Sequence, residues 1–264
     1  MITTTPALSK TAVGTPNSTG RARILAVPGE PLFYADWLRA VFIHYEVDAD
    51  ALQRDVPFDL DLHDGSAYVS LVAFTLRNMR PRLGGKLAAF LFKPIATHEF
   101  LNVRAYVRHR GETGIYFLAE WLSNPLSVCL GPPAFGLPYR LGRFQYHHDH
   151  EPGELHGLVA SPDNSARLEY AATIDPTAPF ASCDPGSRDE FLMERYIAFT
   201  ARNSVRRYFR IWHPPWPQVA VDISQPDTSL LTQNWPWFKD ARLIGANYSP
   251  GVNDVWMGRP HRTR

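Results

Sequence analysis

In F-G-L-P-Y-R-L-G, Phe135 to Gly142, a glycine and a proline set a turn, and Tyr139 and Arg140 stand side by side just after it. An arginine presented this way clamps a carboxylate through two parallel hydrogen bonds. A tyrosine beside it moves a proton or orients a ligand oxygen. The same residues also suit a plain proline turn with a packed tyrosine and a surface arginine. Taken alone, the stretch leaves both readings open.

Four further groups carry chemistry-capable side chains. In F-L-N-V-R-A-Y-V (100–107), Asn102, Arg104 and Tyr106 share one strand face, and Leu101, Val103 and Ala105 share the other. Asn102 and Arg104 are ligand-binding candidates if that face lines a cavity, and solvated if it does not. Glu194 is a general-base candidate, or the partner of an arginine that docks its element. In W-H-P-P-W-P (212–217), His213 is an acid–base candidate and Trp216 an aromatic wall or a core plug. His44 is either a pocket group or a satisfied core histidine. His147, His148, His150 and His156 superficially suggest metal ligands, but adjacent histidines in a polar hairpin suit solvation better, and no metal is expected. Phosphate-loop, G-x-S-x-G, H-E-x-x-H, C-x-x-C and G-x-G-x-x-G patterns are all missing, and no cofactor is expected.

Composition narrows the partners. Basic and acidic residues number 27 and 26, so bulk electrostatics does not favour nucleic acid. Apolar runs are too short to span a bilayer, and the N-terminus lacks the apolar core of a secretory signal. Neither nucleic acid nor membrane is expected as a partner, and the expectation is a soluble, cytoplasmic protein. Two cysteines exclude a disulfide framework. Only four lysines are present, Lys10, Lys86, Lys93 and Lys239. Chemistry that needs an amine therefore has few candidates.

The elements that must position these groups are mostly strands. Residues 1–28, rich in Thr, Ser, Pro and Gly at their start, read as a disordered tail. Residues 29–260 read as one domain and 261–264 as a C-terminal tail. Strands are expected at Leu38 to Val47 and Ala67 to Leu76, and a hairpin at His98 to Arg110 with Gly114 to Leu122. Arg143 to His150 and Leu155 to Ser161 form another pair. Asp48 caps a short helix that Pro57 stops. Ser187 and Glu190 form a capping-box pattern for a helix over Ser187 to Phe199. Turn-rich strands without βαβ alternation predict a mainly β fold, a closed or partly closed antiparallel barrel with short flanking helices.

D-A-D-A-L-Q-R-D-V-P-F-D-L-D-L (48–62), followed by F-G-L-P-Y-R-L-G, resembles the acetoacetate decarboxylase-like superfamily. More closely, the chain resembles the YqjF-like family, a domain of unknown function grouped with it. The supporting motifs are F-L-N-V-R-A-Y-V, F-G-L-P-Y-R-L-G, P-G-S-R-D-E-F-L-M-E-R-Y (185–196), H-P-P-W-P (213–217) and Y-S-P-G-V (248–252). The resemblance implies a cone-like antiparallel barrel around a small-molecule cavity. Decarboxylases of this type form a Schiff base on the first lysine of P-K-K, and the second lysine lowers its pKa. Those positions hold Tyr139 and Arg140 here, so the imine nucleophile is missing. The expected ligand is a small anionic or carbonyl-bearing organic molecule. A lyase- or isomerase-like enzyme without a Schiff-base lysine, a non-catalytic binding protein and a filled structural barrel all stay open, as does homo-oligomerisation.

Overall fold

Runs of alternating β-branched and aromatic residues favour long strands, and here they reach sixteen residues. The computed structural model describes residues 15–263. Its strands are β1 (Phe33–Val47), β2 (Asp59–Leu60), β3 (Ala67–Pro81), β4 (His98–His109), β5 (Glu112–Leu122), β6 (Tyr139–Leu141), β7 (Arg143–His147), β8 (Glu154–Ala160), β9 (Arg167–Thr173), β10 (Ile197–Arg202), β11 (Val205–Trp212), β12 (Val219–Ile223), β13 (Arg242–Met257) and β14 (His261–Thr263). The helices are α1 (Pro16–Leu25), α2 (Ala49–Asp55), α3 (Gly85–Phe92), α4 (Pro125–Phe135), α5 (Arg188–Met193) and α6 (Ser229–Thr232).

Seven strands close a ring in the order β1, β3, β4, β5, β10, β11, β13. The closing contacts pair Ile211 with Met257 and Trp212 with Trp256. Most pairs are antiparallel, but β10 and β6 each run parallel to β5. Strand β13 serves two sheets. Its C-terminal end closes the ring, while Ala246 to Tyr248 pair with β12, the first strand of an outer sheet β12–β9–β8–β7.

The wall β1–β3–β4 is therefore covered on both faces. Val41, Ile43, Val69, Leu71, Leu101 and Val103 pack toward the outer sheet in one core cluster. The alternate residues Phe42, Val72, Phe74 and Phe100 face into the ring and form a second. The mainly β architecture, the hairpin β4–β5, the pair β7–β8 and the Asp48-capped helix α2 follow the sequence expectation.

Several boundaries differ. The first fourteen residues of the expected N-terminal tail lie outside the described residues, but Pro16–Leu25 is helical rather than part of a tail. Gly20 lets this helix sit on the Tyr196 ring, and Ile24 is fully buried, so docking on the ring orders it. The residues 261–263 expected in a C-terminal tail instead pair with β11. The helix expected to run to Phe199 stops at Met193. Ser187 caps it as expected by accepting from Glu190 N at 3.1 Å. Beyond it, Glu194 turns to ψ 77°, and I-A-F-T enters the ring as β10, whose branched and aromatic side chains the sheet accommodates better. Helix α4, with Pro132 and Pro133 inside it, is absent from the sequence expectation. Its start does carry a signal: Asn124 accepts from Ser127 N at 3.0 Å, and Pro125 occupies the first turn.

Gly251 marks the tightest approach in the wall. Its φ is +122°, and an added Cβ would lie 2.3 Å from Trp37 O and 2.6 Å from Leu38 Cα, both backbone atoms of β1. Gly251→Ala is expected to lower stability by about 3 kcal/mol through strain and overpacking. The urea midpoint, with unchanged m-value, measures it.

Candidate functional site

The ring encloses a cavity of about 330 Å³, lined mainly by aromatic and aliphatic side chains of its inward faces. α3, the turn after it and α4 cover one side through Phe92, Ile95, Leu130 and Ala134. Alternation brings Asn102 and Arg104 into this space. The alternative of a solvated polar face fails because the opposite face is already committed to the outer core.

The polar groups converge as a row across three neighbouring strands. Asn102 on β4 stands opposite Glu120 on β5, and Glu120 stands opposite Tyr139 on β6. At ordinary strand spacing the row spans roughly 10 Å. Arg104 lies two residues from Asn102 on the same face, ~7 Å along the strand.

These groups are under-satisfied. Asn102 Oδ1, Glu120 Oε2, Arg104 Nε, Trp37 Nε1 and both ring nitrogens of His98 are buried without a protein partner, and all five residues line the cavity. Buried polar atoms are normally paired, so a concentration around one space makes it the candidate site.

Arg104 is the sharpest case. It is 7% exposed, and its Nη2 donates to Leu192 O at 2.7 Å. Its guanidinium lies over Phe42 and Tyr106, yet no carboxylate pairs with it among the described residues. Arg195, which also borders the cavity, is fully engaged: Nη1 donates to Asp61 Oδ2 at 2.8 Å and Nε to Phe191 O at 2.6 Å.

Burial sets the protonation states. It pushes the Glu120 carboxyl well above the usual carboxylate range, which favours the protonated form that can donate a hydrogen bond. Burial also raises the Tyr139 phenol, and Glu120 adds to the effect. His98 is lowered to about 4 and His44 to about 3, chiefly by desolvation, and His213 is lowered for the same first reason. The cavity therefore presents one uncompensated cation, a carboxyl whose neutral form is favoured and imidazoles whose neutral form is favoured. Such a set has the chemistry to pair with an anion at one end and to donate a hydrogen bond to a carbonyl or hydroxyl oxygen at the other.

Of the residues singled out in the sequence, Tyr139, Asn102, Arg104, His213 and Trp216 line this cavity. Trp216 stacks on Trp37 and meets Phe42 edge-on.

Three candidates do not reach it. Strand alternation turns Arg140 outward when Tyr139 turns inward. Its guanidinium lies over Trp121 and Trp235 and bonds Asn234 Oδ1, so it cannot clamp a ligand in the cavity. Glu194 accepts from Trp216 N at 2.9 Å and from the Tyr196 hydroxyl, which makes it a brace for the Trp216 wall rather than a base. His44 bonds Ser70 Oγ at 2.7 Å and Asn247 Oδ1 at 3.1 Å and is a satisfied core histidine. His148 and His150 likewise bond Tyr170 and Tyr248.

Glu120 and His98 were not anticipated. The available signal was Glu120 as a lone acid in the apolar strand I-Y-F-L-A-E-W-L, directly across from Asn102.

Residues 34–253 match the DUF2071 family, described as an uncharacterized conserved protein. The chain is 30% identical to the uncharacterized protein YqjF of Bacillus subtilis (strain 168) over 183 residues, 68% of this chain and 72% of that protein. Among solved structures it is similar to an acetoacetate decarboxylase-like enzyme from Sphingomonas wittichii RW1, with a TM-score of 0.61, 16% identity, and coverage of 89% of this chain and 94% of that one. It is also similar to the acetoacetate decarboxylase of Legionella pneumophila, with a TM-score of 0.59, 13% identity and coverage of 98% of both chains. At these identities the likeness establishes the acetoacetate decarboxylase-like fold.

The protonation states predict a pH profile. His44, His98 and His148 are held near 3, 4 and 4 in the folded chain against 6.5 for a free histidine. The unfolded chain therefore takes up protons that the folded chain refuses, and this stabilisation is lost as pH falls below about 6.5. Glu120 works the other way above its unfolded value of 4.5, but three groups outweigh one. Stability is expected to rise with pH between about 4.5 and about 6.5, as read by calorimetric Tm. Glu120→Gln, which keeps the neutral shape, is expected to raise Tm at neutral pH. A lowered Tm there would mean that the carboxyl is ionised and paired.

Proposed function

We propose that this chain, which belongs to the DUF2071 family, binds a small organic acid bearing a second oxygen function and acts on it without a lysine imine. The observation that carries this reading is Arg104, a buried cation facing the cavity with Nε unpaired and no carboxylate partner among the described residues. A buried guanidinium without a counter-ion is costly, and a ligand carboxylate supplies what it lacks.

The carboxylate occupies the Arg104 end, and a ketone or hydroxyl oxygen lies ~7 Å along, at the Asn102–Glu120–Tyr139 row. Glu120 in its neutral form donates to that oxygen and serves as general acid, while Tyr139 orients it. This suits lyase or isomerase chemistry that draws electron density toward a carbonyl. The apolar walls accept the alkyl or aryl remainder. An open cavity of about 330 Å³ speaks against a filled structural ring.

No lysine among the described residues lines the cavity. Lys86 lies on α3 and Lys93 follows it, both exposed. Tyr139 at the loop position cannot form an imine with a ketone.

Two measurements test the reading. In thermal-shift titrations against oxo and hydroxy acids, the wild type is expected to gain several degrees with at least one compound. Arg104→Met is expected to keep or raise the unliganded Tm while losing that gain, because Leu192 O keeps the Tyr106 hydroxyl at 2.8 Å. An undiminished gain in the variant removes Arg104 from the site. Borohydride reduction in the presence of the same oxo acids, read by intact mass, is expected to leave the chain unmodified. A lysine-linked adduct would overturn the imine-free mechanism.

A further inference from the structure

Helix α3 carries one charged residue, Lys86, and is otherwise apolar on its inner and its outer side, which a helix lying on a protein surface has no reason to be. Its inner side is occupied: Ala88, Ala89 and Phe92 are half-buried, and Phe92 lines the cavity. Its outer side carries a second apolar stripe. Leu87, Phe90 and Leu91 follow i, i+3, i+4 spacing and are 71, 68 and 67% exposed, and Leu83, in the bend just before the helix, is 73% exposed. Neighbouring α4 is tied to the turn after α3 by Asn124 Nδ2 donating to Pro94 O at 2.7 Å. It adds the exposed side chains Leu126 and Leu130. Together these exposed side chains give α3, its flanking turn and α4 one shared apolar face. A patch of this kind marks an interaction site.

The charges in this stretch of the chain are all basic. Arg80, Arg82, Lys86 and Lys93 flank the stripe, α4 contains no charged residue, and no Asp or Glu occurs from Gly65 to His98. Arg80 is neutralised by Asp254 at 2.7 Å. Arg82, Lys86 and Lys93 have no ion-pair partner among the described residues. A second copy of the chain fits this face poorly, because a two-fold contact would bring the same cationic rim onto itself with no carboxylate to meet it. A surface that offers hydrocarbon depth beneath a layer of negative charge fits both features.

We propose that the α3–α4 face docks on an anionic lipid bilayer. The leucine and phenylalanine stripe enters the interfacial region, and Arg82, Lys86 and Lys93 engage headgroup phosphates. Docking sets the α3–α4 side of the cavity against the lipid, since Phe92, Ile95 and Leu130 border both. The sequence expectation of no membrane partner rested on the lack of a spanning run. No helix among the described residues is long and apolar enough to cross a membrane, and peripheral docking requires none.

Vesicle co-sedimentation of the full chain tests this directly. Binding is expected to vesicles of equal parts phosphatidylglycerol and phosphatidylcholine at low salt, weakened at high salt and absent with pure phosphatidylcholine. Lys86→Glu with Lys93→Glu, and separately Leu87→Asp with Phe90→Asp, are each expected to weaken it by roughly tenfold or more. Circular dichroism and thermal melts check that both variants stay folded. Since the substituted side chains are exposed, folding should survive. Failure of the wild type to sediment with anionic vesicles overturns the proposal. So does light scattering that shows a dimer which Leu87→Asp with Phe90→Asp converts to monomer, because the face is then an interface between copies. Equal loss of binding in neither variant places any lipid contact elsewhere and also overturns it.

Discussion

Strands β1, β3 and β4 are buried on both faces, and every successive side chain along them must satisfy a different core. One face packs on the outer sheet and the other looks into the ring. A single-residue slip would exchange the two sets, placing Arg104 against the aliphatic cluster and Val103 in the cavity. Register is thus held by two cores at once. The double role of β13, which closes the ring at one end and opens the outer sheet at the other, makes both cores possible. The position of every cavity-facing group follows from this arrangement.

Within that frame the polar interior divides into finished and unfinished parts. Asp61 bridges Arg195 and Arg108, and His44, Ser70 and Asn247 are linked among themselves. Glu194 closes the turn that carries Trp216. Those groups stabilise the walls. Arg104, Asn102, Glu120, His98 and Trp37 keep atoms without partners, and they surround one space. Three such atoms lie elsewhere, on Glu30, Tyr45 and Trp212, but the cluster around this space carries a local cost of a kind that a bound polar group would offset.

Similarity to decarboxylase-like structures extends over most of the chain, yet it supplies a frame rather than a reaction. At the loop position, β6 turns Tyr139 inward and Arg140 onto two tryptophans on the far side. The positive charge inside comes from Arg104 on another strand. Glu120, whose carboxyl burial pushes up, stands beside Tyr139 across the sheet. The loop position thus holds a phenol where imine formation needs an amine.

Local pattern was enough to establish the strand-rich class, the β4–β5 hairpin, the capped starts of α2 and α5, and the family motifs, because turn residues, caps and period-two alternation act over a few residues. It also singled out Asn102, Arg104, Tyr139, His213 and Trp216 as residues worth placing. Alternation states which side chains share a face but not which face is inside, and with both faces buried the usual clue of a solvated side is absent. Hence Arg140 was as eligible as Tyr139, and Glu194 and His44 stayed open between site and structural roles until the fold brought Trp216, Ser70 and Asn247 to them from distant parts of the chain. Glu120 stayed hidden for the converse reason. Its significance lies in Asn102 and Tyr139 flanking it across the sheet and in the desolvation that neutralises it. Register and burial are properties of the assembled ring, and only the tertiary structure sets them.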